Sequence, residues 1–223
     1  MDILLLKKKI TRTDICNLAK VIADFHIRTD IIYDMDPFRI KDDFRDLIKQ
    51  TEYVSNHLGA AYAAVIHESI DGSDIFINRN KDLLYGRLKA GLFRDCHGDL
   101  HSRNIFFLPE PEPFDCIEFN DDYRKIDVLN EVAFLCMDLE AFGSPEFSGL
   151  FINTYNLLFP CLQGKQGFDL FTYYKGYRAN VRAKVNSLRA RSAVNDQDRR
   201  SALVETGKYL QLMNGYMKTI RVA

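Results

Sequence analysis

The stretch RDCHGDLHSRNIFFL, residues 94–108, sets the reading of the whole chain. Its first eleven residues carry two His, two Asp, two Arg, a Cys and an Asn, and Ile105, Phe106, Phe107 and Leu108 follow without interruption. Polar chemistry crowded beside an apolar run fits a loop held between short strands, where a rigid frame presents functional side chains. The flanks agree with that frame. LFRDC (92–96) is short and strand-like. NIFFLPE (104–110) and PFDCIEF (113–119) are strand-like too, separated by a Pro-rich turn at Pro109, Pro111 and Pro113.

Outside this segment the apolar spacing is helical. In 13–28, Ile15, Leu18, Ala19, Ile22 and Phe25 form one stripe, and Thr13 or Asp14 can cap it. Residues 33–40 read as a loop. Residues 41–57 read as one helix that buries Phe44, Leu47, Ile48 and Val54. A third helix covers about 60–69. Asp71-Gly72 then breaks the chain, Ser73 caps a fourth helix to Lys89, and Gly91 stops it. Helices are expected again at 127–141, 145–158, 167–192 and 196–219. The expected architecture is a single α+β domain, mainly α-helical: helices over 1–91, a β segment over 92–120 and C-terminal helices over 121–223.

The totals narrow the class. The chain has 223 residues, 47% apolar and 27% charged, with ample length for a core. A net charge of -1 gives no field that points to nucleic acid or an anionic membrane. No apolar stretch approaches the ~20 residues of a membrane span. The opening MDILLLKKKI has its charges after a short apolar run, which makes a poor signal peptide. Lys7, Lys8 and Lys9 read as a solvated end. Five widely spaced cysteines with no C-x-x-C fit reduced thiols in a cytoplasmic protein.

The central loop has a chemical logic. His97, Asp99 and Asn104 spell H-x-D-L-x-x-x-N, the spacing of a kinase catalytic loop. Asp99 would orient an attacking hydroxyl and accept its proton. Asn104 would offer a neutral oxygen to Mg²⁺, which favours hard oxygen ligands. Asp115, in the next hairpin strand with the apolar Phe114 and Ile117 around it, would add the carboxylate that the metal needs. A charge there is costly unless something matches it, and a cation would.

HGDLHSRN (97–104) resembles the H-G-D-x-x-x-x-N motif of the aminoglycoside phosphotransferase family. FDCIEF (114–119) stands where that family has its metal strand. IDVLNEVAF (126–134) resembles the helix start that follows, with Asp127 and Glu131 in its two acidic positions. The combined wording is similar to that of a bacterial subgroup often fused to a P-loop ATP-binding domain, and YYKGYRANVRAK (173–184) resembles that subgroup as well. The resemblance implies the C-terminal lobe of a protein kinase-like fold, with ATP or another NTP and Mg²⁺ as cofactors and a small-molecule hydroxyl as acceptor. It makes Asp99 the catalytic base and His97 a brace of the catalytic loop. Asn104 and Asp115 become the metal ligands, and Asp127 a support for the loop backbone.

The sequence also departs from that pattern. It has no G-x-G-x-x-G, no V-A-I-K-like strand and no G-x-x-x-x-G-K-[ST]. The N-lobe is therefore expected to be missing, with the inter-lobe face open to an N-lobe partner or to a second copy. A non-catalytic nucleotide-binding or interaction module is the alternative, and a metal-dependent hydrolase built on His97 and His101 is a third reading. His57 and His67 offer no telling third-ligand spacing, and His26 reads as a surface or cap residue. Cys96 and Cys116 read as small core residues. Arg178, Arg182, Lys184, Arg189 and Arg191 read as a solvated helix face, not a nucleic-acid stripe. Tyr155, Tyr173, Tyr174 and Tyr177 read as core. Asp34, Asp36, Asp42 and Asp43 offer acid for a cationic acceptor, but the acceptor stays open.

Overall fold

The structure is a computed structural model that describes residues 1–108 and 110–221, without the side chain of Arg221. Helices carry most of the chain and two small antiparallel sheets lie at its centre, so the fold is α+β and mainly helical. It divides into two compact units. One comprises Met1–Met35 and Tyr85–Phe171; the other comprises Asp36–Leu84 and the residues from Thr172 onward. No helix among the described residues is long and apolar enough to cross a membrane. All five cysteines are free thiols.

The first unit holds every residue of the central loop. Helices α1 (Asp2–Leu6) and α2 (Arg12–Arg28) open it. The cap of α2 is Thr11, a little earlier than Thr13 or Asp14. Thr11 Oγ1 accepts from the Asp14 backbone N–H, and the Asp14 carboxylate accepts from the Thr11 backbone N–H, a reciprocal capping box. Lys7, Lys8 and Lys9 are exposed. Strand β1 (Phe93–Asp95) follows α6 (Lys81–Lys89) through Gly91, whose φ of 72° ends the helix. Strands β2 (Ile105–Phe107) and β3 (Pro111–Pro113) form a hairpin, while β1 pairs with β4 (Lys125–Asp127). Pro111 and Pro113 therefore lie in a strand and not in the turn; Pro109 lies outside the described residues. Residues 114–120 are not the expected strand, because Asp115 takes φ 61° and ends the extended run.

Helix α7 (Val128–Ala141) is the centre of this unit. Every residue from Val128 to Leu139 is buried, as expected of a helix that is apolar nearly all round. Helix α8 (Pro145–Leu158) packs on both α7 and α2. It contributes Phe151, Ile152 and Tyr155 to a core shared with Ile15, Leu18 and Ile22. Asp127 starts α7: its Oδ1 accepts from the Leu129 backbone N–H at 2.8 Å. The same carboxylate takes a two-pronged bond from Arg87, 2.5 Å from Nε and 2.8 Å from the terminal nitrogen Nη2. Arg87 Nη1 donates to the Cys161 carbonyl at 2.7 Å. Asp127, expected to support the loop backbone, thus caps α7 and forms a buried ion pair with Arg87.

The second unit contains α3 (Ile40–Arg45), α4 (Thr51–Leu58), α5 (Ala60–Arg79), most of α9 (Gly164–Ser192) and α10 (Asp196–Arg221). The helix expected over 41–57 is split by a 3-10 segment at Asp46–Gln50. Its threefold period stacks Phe44, Leu47 and Gln50 on the buried side and turns Ile48 outward, 42% exposed. The break expected at Asp71-Gly72 does not occur. Gly72 and Ser73 are buried within α5, where Ser73 Oγ bonds Tyr173 Oη at 2.9 Å instead of capping a helix. The break falls at Asn80. Tyr173 stacks between Phe76 and Phe44, with ring centroids 4.6 and 6.0 Å away, and Tyr174 and Tyr177 are buried as expected. Arg178 and Arg182 are also buried, against the expectation of a solvated face. Their stems lie inside, and their guanidinium groups cover the rings of Tyr177 and Tyr209.

Removing Arg87 leaves the Asp127 charge buried with its main partner gone. Arg87→Ala is expected to lower unfolding free energy by about 3–5 kcal/mol in urea titration. A change below about 1 kcal/mol would mark the pair as a surface-grade contact.

Candidate functional site

The loop from Cys96 to Asn104 connects β1 to β2, and three of its backbone N–H groups are satisfied by carboxylates of α7. His97 and Gly98 donate their backbone N–H groups to the two oxygens of Glu131, at 3.0 and 2.6 Å. Ser102 donates its N–H to Asp138 Oδ2 at 2.8 Å. Gly98 has φ 85°, and a Cβ there would lie 2.9 Å from the Tyr123 carbonyl and 3.1 Å from Ile117 Cδ1. Only glycine fits that close approach.

Side chains continue the bracing. His97 Nε2 donates to the Phe114 carbonyl at 2.8 Å, and its Nδ1 accepts from the Asp99 backbone N–H at 3.3 Å. Those two partners fix one neutral tautomer. His101 Nδ1 accepts from the Arg103 N–H at 3.2 Å, and its ring meets Phe134 edge-on. His101 Nε2 lies 3.4 Å from Asp99 Oδ2. Asn104 Nδ2 donates to the carbonyl of Asp99 at 3.2 Å and to its Oδ2 at 3.1 Å. His97, His101 and Asn104 are 5–8% exposed, whereas the Asp99 side chain is 37% exposed. A rigid, buried loop thus presents one carboxylate outward.

Asp115 reaches the same neighbourhood through its predecessor. Phe114 donates its N–H to the Asn104 carbonyl at 3.0 Å and accepts from His97 through its own carbonyl. The turn at Asp115 comes next, and its side chain is exposed. Asp115 and His97 share the walls of an open cleft of about 700 Å³ with Phe25, Asp95, Cys116 and Arg124. Arg124 holds Asp95 with two bonds, 2.9 and 3.3 Å. Cys96 is buried as expected, but Cys116 is exposed on the irregular segment after Asp115.

Four residues of the site, His26, Glu131, Asp138 and Tyr155, escaped the sequence reading in part or in full. His26 is fully buried and not a surface residue. Its Nε2 meets Glu131 Oε2 at 2.8 Å and its Nδ1 meets the Tyr155 hydroxyl at 2.7 Å. Burial works to raise the Glu131 pKa, but the hydrogen bonds from His26 and from the His97 backbone N–H hold it below its ordinary value. Burial pushes the Tyr155 hydroxyl well above its usual range, so it stays neutral. The available signal was the run VLNEVAFLCMDLEA (128–141), where Glu131 and Asp138 interrupt an apolar helix seven residues apart.

The buried cluster here that could ligate a transition metal, and the His97 ring, already have hydrogen-bond partners. His26, Cys96 and Glu131 place donor atoms within 4.8 Å of one another. His26 and Glu131 satisfy each other, and both Glu131 oxygens hold loop N–H groups, so this cluster is closed as a hydrogen-bonded set. His97 Nε2 is committed to Phe114, and His57 and His67 belong to α4 and α5 of the other unit.

Comparison with known proteins gives partial relatives. An uncharacterised protein of Mycobacterium bovis and one of Mycobacterium tuberculosis are each 37% identical to this chain over 118 residues. The match covers 52% of this chain and 23% of each relative, so the chain spans under a quarter of their length. No family model and no solved structure matches.

Glu131 gives the site a pH signature. Its folded pKa lies below the ordinary 4.5, so its stabilisation is full above about that pH and is lost as pH falls through the lower folded value. Glu131→Gln is expected to cost about 3–5 kcal/mol at pH 7. The gap to the parent should narrow below pH 4.5. A gap that stays constant into acid would place the Glu131 charge outside the stability balance.

Proposed function

We propose that this chain carries the catalytic loop and metal ligands of an ATP- and Mg²⁺-dependent phosphotransferase, on the C-terminal lobe of a protein kinase-like fold of the aminoglycoside phosphotransferase type. One observation carries the reading. Asn104 spends its amide nitrogen on Asp99, which steers the Asp99 carboxylate and leaves the Asn104 carbonyl oxygen to offer elsewhere.

The donor set fits a hard cation. Asn104 Oδ1 and the exposed Asp115 carboxylate are oxygen ligands of the kind that Mg²⁺ selects, on segments joined by the Phe114–Asn104 bond. Mg²⁺ bound there with a nucleoside triphosphate would neutralise phosphate charge. Asp99, exposed and steered by Asn104, would hold the acceptor hydroxyl and take its proton. His97 and the Glu131 carboxylate keep the loop from relaxing, and positioning is most of what phosphoryl transfer asks of a protein.

The acceptor is a small molecule with a hydroxyl group. The phosphate clamp that kinases place on a glycine-rich loop and a strand lysine has no counterpart among the motifs of this sequence. A second reading is a lobe that binds nucleotide or a partner without turnover. The two readings separate by experiment.

Mn²⁺ binding followed by electron paramagnetic resonance, with and without ATP, tests the assignment. Asn104→Ala and Asp115→Ala should each weaken Mn²⁺·ATP binding at least about tenfold, near 1.4 kcal/mol. Asp99→Asn should leave binding nearly intact and abolish phosphoryl turnover, including slow hydrolysis of ATP. Mn²⁺ affinity indifferent to positions 104 and 115 would refute the metal site. Binding that responds to both positions without any turnover would favour the non-catalytic reading.

A further inference from the structure

Glu131, His26 and Tyr155 come from α7, α2 and α8, and all three are fully buried. Three polar groups in a core cost stability unless they match one another, and an apolar trio of similar volume would fill the space at less cost. Here the match is complete. The ionised Glu131 only accepts, so His26 Nε2 carries the hydrogen and donates to it at 2.8 Å. His26 Nδ1 meets the Tyr155 hydroxyl at 2.7 Å. The backbone end of the chain is fixed as well. Arg94 of β1 donates to the carbonyls of His26, Ile27 and Thr29, at 2.8, 3.3 and 3.2 Å, which ties the end of α2 to the strand that leads into the loop.

The outward connection of this trio is the pair of bonds from Glu131 to the N–H groups of His97 and Gly98. Those residues immediately precede Asp99. A carboxylate on a flexible Glu side chain could accept them from several rotamers; the His26 bond selects one, and the Tyr155 bond selects the imidazole orientation that makes it. We propose that His26 and Tyr155 are positioning residues for Asp99, acting through Glu131 as a buried relay that sets the backbone at 97 and 98. The proposal rests on the reading of Asp99 as the acting carboxylate, but its geometry stands apart from any cation.

Amide hydrogen exchange of the full chain, read residue by residue by NMR, tests the relay directly. His26→Leu removes the donor, His26→Gln keeps an N–H that can reach Glu131, and Tyr155→Phe removes only the outer link. In His26→Leu the amides of His97 and Gly98 should exchange about tenfold faster or more relative to those of α8, with His26→Gln restoring most protection and Tyr155→Phe falling between. Mn²⁺·ATP turnover should fall in the same order while Mn²⁺ affinity changes little. Parallel acceleration of all amides, or a Gln variant as impaired as Leu, would reduce the trio to ordinary core packing and overturn the proposal. A cobalt–thiolate absorption band in Co²⁺-treated protein that disappears in His26→Gln would replace the relay by a metal centre with Cys96 and overturn it too. Protection that follows the variants without any Mn²⁺·ATP turnover in the parent supports the relay and removes the phosphotransferase reading alone.

Discussion

Two carboxylates on one buried helix hold this site together. Glu131 and Asp138 stand seven residues apart on α7, two helical turns, so they project from the same face. That face receives the backbone N–H groups of residues 97, 98 and 102. A loop of this kind has no regular ladder to satisfy its polar groups, and a buried orphan N–H is expensive. The helix supplies acceptors in fixed positions, and the loop folds onto them. The charge of Glu131 is kept by the donors around it, because burial alone would protonate it.

From that clamp follows the contrast that gives the loop its chemical character. His97 and His101 use their ring nitrogens as braces inside the loop, and Asn104 turns its amide on Asp99. What stays accessible is the Asp99 carboxylate, with Asp115 exposed on the neighbouring segment. The left-handed backbone at Asp115 belongs to the same design: it turns the chain directly after Phe114, the residue whose backbone bonds both His97 and Asn104. An Asp tolerates that conformation better than most residues.

The α+β class, the helices after residue 127 and the turn at Gly91 were legible because apolar period and glycine chemistry are local signals. The strand expected through Asp115 was not, since the apolar residues on either side mimic alternation while the backbone turns. Asp71-Gly72 looked like a break, yet Ser73 found a tyrosine partner a hundred residues away and the helix ran on. Ile48 was misplaced because a 3-10 segment changes the period from 3.6 to 3. At the site, the H-x-D-x-x-x-x-N spacing drew attention to the loop that the buried helix clamps. His26 was invisible for the opposite reason. Its role depends on Glu131 and Tyr155, at separations of 105 and 129 residues, and a lone His at a helix end carries no trace of them.

The central claim is that the loop and the segment after β3 direct oxygen atoms of residues 104 and 115 at one divalent cation, beside the Asp99 carboxylate. Anomalous diffraction from crystals soaked with Mn²⁺ and a non-hydrolysable ATP analogue measures this most directly. The account predicts one strong peak at about 2.0–2.3 Å from Asn104 Oδ1 and from an Asp115 oxygen, with phosphate oxygens completing the shell. A well-diffracting crystal with nucleotide bound and the manganese held elsewhere, or by neither residue, would contradict it.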